Sequence, residues 1–206
     1  MPNAQFQAPP VLPALAGPLP ARLLRRGLAL VLDTLLAGLA AAVILTSFVY
    51  PQNYPNYGAI VNDQWRAIMA QVHQVMTTGQ YTELTLSDEY LDLAGTTITT
   101  IFLVLLVYFA ASEIFARGST LGKKVFGLRA ARWGSAEPPL VLESVSRSIF
   151  KALSLVVLWP LLLAVNVAPL LFRASRRAGH DYLARTIVTG APLPEPARRP
   201  GAVDED

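Results

Sequence analysis

Charged side chains inside apolar segments are the first candidates for chemistry in this chain. Asp33 follows Arg26 by seven residues, and no further charge occurs up to Val49. An ionised carboxylate in the hydrocarbon of a membrane costs about 3 kcal/mol unless it has a partner. Asp33 is therefore a candidate for binding an ion or exchanging a proton, and it requires a cation or a hydrogen-bond donor from elsewhere.

Arg26 is the nearest cation in the sequence, but helix geometry separates it from Asp33. The two residues share a helix face about 10 Å apart along the axis, and a helical side chain leans toward the N-terminus. We therefore expect no ion pair between them. By depth in the membrane, the candidate partners for Asp33 are Arg147, Lys151 and Lys123.

Two further carboxylates stand near basic residues. Glu113 lies near the end of the second apolar segment, where we expect it to pair with a nearby arginine or lysine. Asp181 follows a turn at Gly179 and His180, and it either caps a short helix or accepts hydrogen bonds from loop arginines. The chain has no cysteine, no nucleophile beside a base and no cluster of metal ligands, so we expect neither an enzyme nor a bound metal or cofactor.

The composition places these groups in a membrane protein. Mean hydropathy is +0.42, and 15% of the residues are charged, against about 25% in soluble domains. Residues 27–49 and 93–115 are apolar enough for two firm transmembrane helices, since about 20 such residues cross the hydrocarbon core. A third apolar segment, 148–172, is broken by Trp159 and Pro160 and is either a re-entrant hairpin or a third span. The predicted fold class is an all-α membrane protein.

Basic residues indicate the orientation of the predicted membrane domain, 22–190. They are rare in the loop 50–92 and frequent in both flanks and in the loop after the second span. By the positive-inside rule, the N-terminus is cytoplasmic and the loop 50–92 lies outside the cell, in an integral multi-pass protein of the cell membrane. The tails, 1–21 and 191–206, are rich in proline and predicted to be disordered.

Two features of the domain indicate contacts with lipid or with other helices. An amphipathic helix at 60–77 either lies at the membrane interface or caps the bundle. The first span contains pairs of small residues four apart, which allow another helix to approach closely: Ala37/Ala41 and Gly38/Ala42. The expected partners are the lipid bilayer and either further copies of the chain or another membrane protein.

Nucleotides and nucleic acids are not expected as ligands. The glycine-rich run at 118–124 is one residue short of a nucleotide-binding loop, and Lys124 stands where a hydroxyl residue is required. The isoelectric point near 9.4 reflects basic residues beside apolar spans, a pattern typical of membrane surfaces and topology.

Three motifs occur in order along the chain. The first, RGLALVLD, runs from Arg26 to Asp33; the second, GSTLGKKVFGLR, begins at Gly118; the third, RAGHDYLARTIV, begins at Arg177. Together they resemble the RDD family of small membrane proteins over about residues 22–190. By this resemblance, the family's named triad corresponds to Arg26, Asp33 and Asp181.

The resemblance implies a membrane protein whose role is poorly defined. Transport of unidentified ligands has been proposed for the family, and ion or proton exchange for some members. This chain differs from the family pattern in a longer first loop and in Arg185, which occupies a place where small residues are usual. Residues that support the triad here are Glu113, Gly118, Thr120, Gly122, Lys123, Lys124, Arg147, Lys151, His180 and Thr186.

Two functions remain open. As a transporter of a small solute or ion coupled to protons, the chain would use Asp33 as its titrating group and would require an oligomer, because two firm spans enclose no pathway. As a structural or partner-binding membrane protein, it would use the charged triad only to lock the cytoplasmic ends of the helices together.

Two short stretches, 125–131 and 186–189, are partly β-branched and adjoin the motifs. We expect them to pair as a small β-unit on the cytoplasmic surface, supported by the ends of the spans. This pairing requires the third apolar segment to turn back to the side of the membrane from which it enters.

Overall fold

The structure is a computed structural model that describes residues 21–81, 83–135, 137–157, 161–172 and 177–190. The tails predicted to be disordered lie outside these ranges, except for Ala21. That residue is buried, and its N–H donates a hydrogen bond to the carbonyl oxygen of Val188 (3.0 Å). The folded domain thus begins at least two residues before its first helical residue, Leu23.

Eight α-helices and two β-strands form within the described ranges. In chain order they are α1 (Leu23–Ile44), α2 (Tyr50–Asn53), α3 (Tyr57–Thr78), α4 (Asp88–Phe115), α5 (Leu121–Val125), β1 (Leu128–Arg132), α6 (Val141–Val156), α7 (Leu161–Phe172), α8 (Gly179–Leu183) and β2 (Thr186–Gly190). A π-helical stretch, Leu45–Val49, joins α1 to α2.

Two continuous helical stretches, Leu23–Asn53 and Asp88–Phe115, are long and apolar enough to cross a membrane. They contain the predicted spans 27–49 and 93–115. Their outward-facing side chains are large and apolar, as contact with hydrocarbon requires; they include Leu24, Leu28, Leu35, Leu39, Leu103 and Val107. The prediction of a mostly helical protein with two apolar membrane helices is therefore confirmed.

One stripe of α1 faces the protein interior. Its buried residues recur every four positions, as expected for one side of a helix: Ala29, Asp33, Ala37 and Ala41. The predicted pair Ala37/Ala41 thus faces inward, whereas Gly38 and Ala42 are exposed. Small side chains on the inner stripe let α4 and α5 lie against this helix.

The amphipathic helix predicted at 60–77 corresponds to α3. Its contact with the segment before α4 is polar: Gln64 is buried, donates to the Thr85 carbonyl oxygen (3.2 Å) and accepts from the Ser87 N–H (2.9 Å). Its apolar stripe is exposed, with Val61, Trp65, Met69, Val72 and Met76 on the surface. The described residues therefore do not cover the apolar face of α3.

The third apolar segment forms two helices. Helix α6 begins at Val141, earlier than the predicted 148, and α7 is a separate apolar helix of 12 residues. The break predicted at Trp159 and Pro160 lies outside the described residues. Helix α6 packs along α4, and its Ala152 joins a core cluster with Ala37, Leu105 and Phe109. At about 1.5 Å per residue, α7 alone is too short to cross a membrane.

The two strands form an antiparallel sheet whose register runs from Leu128 opposite Gly190 to Arg132 opposite Thr186. They cover most of the stretches expected to pair, although residues 121–125 form α5 because the Thr120 side chain caps its first turn. Since both strands belong to one sheet, the segment between them, residues 133–185, leaves this sheet and returns to it.

The register makes a prediction for crosslinking in a chain that has no cysteine of its own. Cysteines at Arg129 and Thr189, which are directly opposite, should form a disulfide on oxidation, because paired residues bring their Cβ atoms within bonding reach. Cysteines at Leu128 and Ile187 are three positions out of register and point to opposite sheet faces, so they serve as the control. A disulfide in the control pair alone, on a non-reducing gel, would contradict this register.

Candidate functional site

The carboxylate of Asp33 is buried and receives three hydrogen bonds. Its Oδ1 accepts from the Tyr108 hydroxyl (2.6 Å) and the Gly122 N–H (2.8 Å), and its Oδ2 accepts from the Thr120 hydroxyl. These donors belong to α4 and to the start of α5. Among the described residues, no ion pair includes Asp33.

The prediction that Arg147, Lys151 or Lys123 is the cation partner of Asp33 is therefore wrong. All three cations bind Glu113 instead. Hydroxyl and backbone donors satisfy the buried carboxylate because hydrogen bonds to its charged form offset its desolvation. The more general expectation, that a hydrogen-bond donor from elsewhere in the chain would bind Asp33, agrees with the structure.

Two motif glycines permit close backbone approaches, Gly122 at Asp33 and Gly118 at β1. A Cβ on Gly122 would lie 2.3 Å from the Ala29 carbonyl oxygen and 2.9 Å from the Asp33 Cγ. Gly118 has φ +88, in the left-handed region, and a Cβ there would lie 2.4 Å from the Ala130 carbonyl oxygen. A side chain at Gly122 would push the loop between α4 and β1 away from α1, and one at Gly118 would push that loop away from β1.

Glu113 forms the second buried carboxylate centre. Its Oε1 accepts hydrogen bonds from Lys123 Nζ (2.7 Å) and from Lys151 Nζ, and its Oε2 lies 3.2 Å from Arg147 Nε. The expected pairing of Glu113 with a lysine or arginine is present in the structure, with three partners rather than one. These contacts join α4 to both α5 and α6.

Asp181 forms the third centre, and Arg147 links it to Glu113. The Arg147 side chain is fully buried; its Nη1 lies 3.0 Å from Asp181 Oδ1 and donates to the Thr186 hydroxyl. Arg26 Nη2 donates to Asp181 Oδ2 (2.7 Å), which also accepts from the Ala178 N–H (3.1 Å). Asp181 thus caps α8, and its carboxylate binds two arginines that come from the helices α1 and α6.

The family triad is therefore divided in space. Arg26 binds Asp181, while Asp33 has separate partners. Lys124 is exposed and has no ion pair among the described residues. Arg185, where the family favours small residues, adopts φ 50, and its carbonyl oxygen accepts from the Trp133 N–H (2.8 Å).

Sequence reasoning missed several residues of the site. Arg177 donates to the carbonyl oxygens of Thr186 (2.9 Å) and Asp181 (2.8 Å), and it stacks on Trp133. Asn166 Oδ1 binds both the backbone N–H (3.1 Å) and the ring Nδ1 (2.8 Å) of His180. A polar amide inside an apolar segment is a signal that could have identified Asn166; Tyr108 carries no comparable signal.

Burial and neighbouring charges shift the pKa values of this region. Burial alone would raise the pKa of Asp181, but the ion pairs with Arg147 and Arg26 outweigh burial and hold that pKa well below its usual value. Burial lowers the pKa of His180 far enough to keep the ring neutral at pH 7. Burial also lowers the pKa of Lys123 to about 7, although Glu113 opposes the shift. Lys123 can therefore exchange a proton near neutral pH.

A cavity of about 190 Å³ is lined by Asp33 and by the two lysines that bind Glu113. Its walls come mainly from α1 and α7. Single residues of α4, α5, α6, β1 and β2 and the start of α8 complete them. Most of the lining side chains are apolar, and the polar ones are Arg26, Asp33, Lys123, Lys151, Asn166 and His180. The arrangement offers ionisable groups around an apolar space, which is the usual composition of a small-ligand site.

The close approach at Gly122 makes a prediction for stability. Gly122→Ala should destabilise the protein by about 1–3 kcal/mol, because the new methyl group overlaps the Ala29 carbonyl oxygen and the Asp33 carboxylate. Gly95→Ala on α4 is the matched control, since a Cβ there meets nothing within 4 Å. Thermal unfolding in detergent measures both variants, and equal melting temperatures would contradict the tight packing described here.

Comparison with known proteins identifies a family for this chain. The sequence model of the RDD family matches residues 20–185, a range that includes the three motifs up to Arg185. No curated protein and no solved structure matches the chain. Because the match covers well over half of the sequence, this chain belongs to the RDD family.

Proposed function

We propose that this membrane protein binds a small solute or ion in the cavity beside Asp33 and carries it across the cell membrane as an oligomer. The observation that carries the proposal is the cavity itself. It places a buried carboxylate, two lysines and a histidine around one space at one end of the two apolar helices. Ionisable residues at membrane depth that face a cavity are typical of solute and proton pathways.

Coupling to protons is supported by Lys123. Its pKa of about 7 allows it to change charge near neutral pH while it lines the cavity. Asp33 lies across the same space and is the second group whose charge a passing ion would meet. Entry of a charged solute would therefore change the protonation of this centre, which is the requirement for coupled movement.

An oligomer is supported by the surface of α1. Two long helices in one chain cannot enclose a path across the bilayer, so a path needs helices from further copies. The pair Gly38/Ala42 has the spacing of a close-packing helix face, and both residues are exposed on the outside of α1. We assign this face to contact between copies.

The proposed placement puts the sheet and the charged centres on the cytoplasmic side. Because β1 and β2 belong to one sheet, α6 and α7 leave and return on the same side, as a re-entrant hairpin does. The apolar stripe of α3 then lies in the outer interface, where an uncovered amphipathic helix is stable.

A second candidate function has its own supporting observation. Arg147 binds both Glu113 and Asp181, and Arg26 binds Asp181, so four helices are held together by buried ion pairs. These contacts fit a structural or partner-binding protein whose charges lock the cytoplasmic end. In this case the cavity has no transport role.

The topology predicts opposite labelling of two single cysteines. A membrane-impermeant maleimide added to intact cells should label cysteine at Gln80, after α3, and leave cysteine at Ser135, after β1, unmodified. Both sites should react once the cells are permeabilised, which controls for accessibility. Labelling of Ser135 but not Gln80 in intact cells would reverse the proposed orientation.

The transport proposal predicts loss of flux in Asp33→Asn. In liposomes with an entrapped pH dye, gradients of sodium, potassium, phosphate or a short carboxylate should drive proton movement through the wild-type protein. The variant should reduce that movement by about a hundredfold, the usual effect of removing a positioned proton-transfer group. Asp63→Asn, on the exposed surface of α3, is the matched control.

Two results would decide between the candidate functions. Flux unchanged by Asp33→Asn would remove Asp33 from the mechanism. Absence of flux in the wild-type protein under every gradient, with normal thermal stability, would favour the structural function.

A further inference from the structure

The charges around the cavity are not balanced. The buried centre contains the cations Arg26, Lys123, Arg147 and Lys151 against the carboxylates Asp33, Glu113 and Asp181. The lining of the cavity contains three of these cations, Arg26, Lys123 and Lys151, and one carboxylate, Asp33. A surplus of positive charge in a poorly solvated space favours entry of an anion.

The two lysines have hydrogen-bonding capacity left over. Lys123 and Lys151 both line the cavity, and both donate to the same oxygen, Glu113 Oε1. An ammonium group carries three N–H donors. Among the described residues, neither lysine has a second acceptor, although both side chains are more than nine-tenths buried.

Asp33 does not supply the missing acceptor. Its two oxygens already receive hydrogen bonds from Tyr108, Thr120 and Gly122. The remaining polar lining groups, Asn166 and His180, are bonded to each other. An entering ligand would therefore meet unused lysine donors rather than unused acceptors.

The rest of the lining is apolar and opens between two apolar helices. Leu23 and Leu30 on α1 face Leu163 and Leu170 on α7 across the space. Gly27 lies between the α1 leucines, and a Cβ added to it would meet no atom within 4 Å, so this edge of the cavity is open. The volume of about 190 Å³ is below the roughly 300–1,000 Å³ of whole-ligand pockets, so it fits an anionic group and the first part of a chain.

We propose that the cavity binds the anionic group of an amphiphile, a phosphate or carboxylate on an alkyl chain. Lys123 and Lys151 hold the anion, and the chain lies between α1 and α7. This inference rests on the proposed function in one respect, since it names the ligand class of the same cavity. Binding is measured apart from flux, so either proposal can fail alone.

Binding by the purified full-length protein in a neutral detergent tests the proposal. The probes are monododecyl phosphate, dodecanol and inorganic phosphate, each titrated by native mass spectrometry and by thermal shift. Monododecyl phosphate should bind at least about tenfold more tightly than either other probe, because it alone uses both lysines and the apolar walls. Equal binding of dodecanol or of inorganic phosphate would overturn the proposal.

A cavity-filling variant locates the binding without removing a charge. Gly27→Leu places a side chain into the open edge of the cavity and should weaken binding of monododecyl phosphate by about tenfold. Gly95→Leu on α4 is the matched control, because a Cβ there also meets no atom within 4 Å and the residue does not line the cavity. Equal weakening in both variants, or in neither, would place the ligand elsewhere.

A charge variant tests the role of the lysines. Lys151→Gln should abolish the preference for monododecyl phosphate over dodecanol, whereas Lys124→Gln, at an exposed position, should keep it. Retained preference in a folded Lys151→Gln protein would overturn the assignment. Competition between monododecyl phosphate and phosphatidic acid in vesicles would identify a bilayer lipid as the source of the anion, and lack of competition a soluble amphiphile.

Discussion

The guanidinium of Arg147 lies between two buried carboxylates, and the charged centre depends on this position. It is within ion-pair distance of Glu113 on α4 and of Asp181 on α8. Removing one member of a buried ion pair leaves the other charge unpaired, at a typical cost of about 3–5 kcal/mol. Here two carboxylates would lose a partner at once. The position of α6, which carries Arg147, is therefore set by charge as much as by its packing along α4.

The division of the triad follows from the same constraint. Asp181 binds Arg26 and Arg147, and Glu113 binds both lysines, so none of these four cations pairs with Asp33. Its charge is stabilised instead by a tyrosine, a threonine and a backbone N–H. That solution requires the loop before α5 to touch α1, which is why Gly122 cannot carry a side chain. The glycine motif and the aspartate motif are thus two halves of one contact.

The sequence predicts the elements of this protein better than their partners. Apolar length identifies both long helices, and the motifs identify the charged residues, because these signals are local. The partners of Asp33 lie 75, 87 and 89 residues further along the chain, and nothing local indicates them. Depth in the membrane predicted that Lys123, Lys151 or Arg147 would be the partner of Asp33. Depth does not indicate that Glu113 binds all three of these cations instead. The cavity is likewise a product of packing between distant helices.

The structural and ligand-binding roles of the charged centre are not exclusive. Lys123, Lys151 and Arg147 all bind Glu113, so the Lys123 ammonium has one carboxylate and two cations as near neighbours. Asp33 lines the same cavity. At a pKa of about 7, release of its proton removes the surplus positive charge. An anion bound beside it would raise that pKa, and by linkage the ligand would then bind together with a proton. The ion pairs of Arg147 and Lys151 with Glu113, which fix α6 against α4, would remain in place during this exchange. A rigid lock and a proton-coupled site can therefore use the same residues, because the lock holds the lysines at the edge of the space that the anion enters.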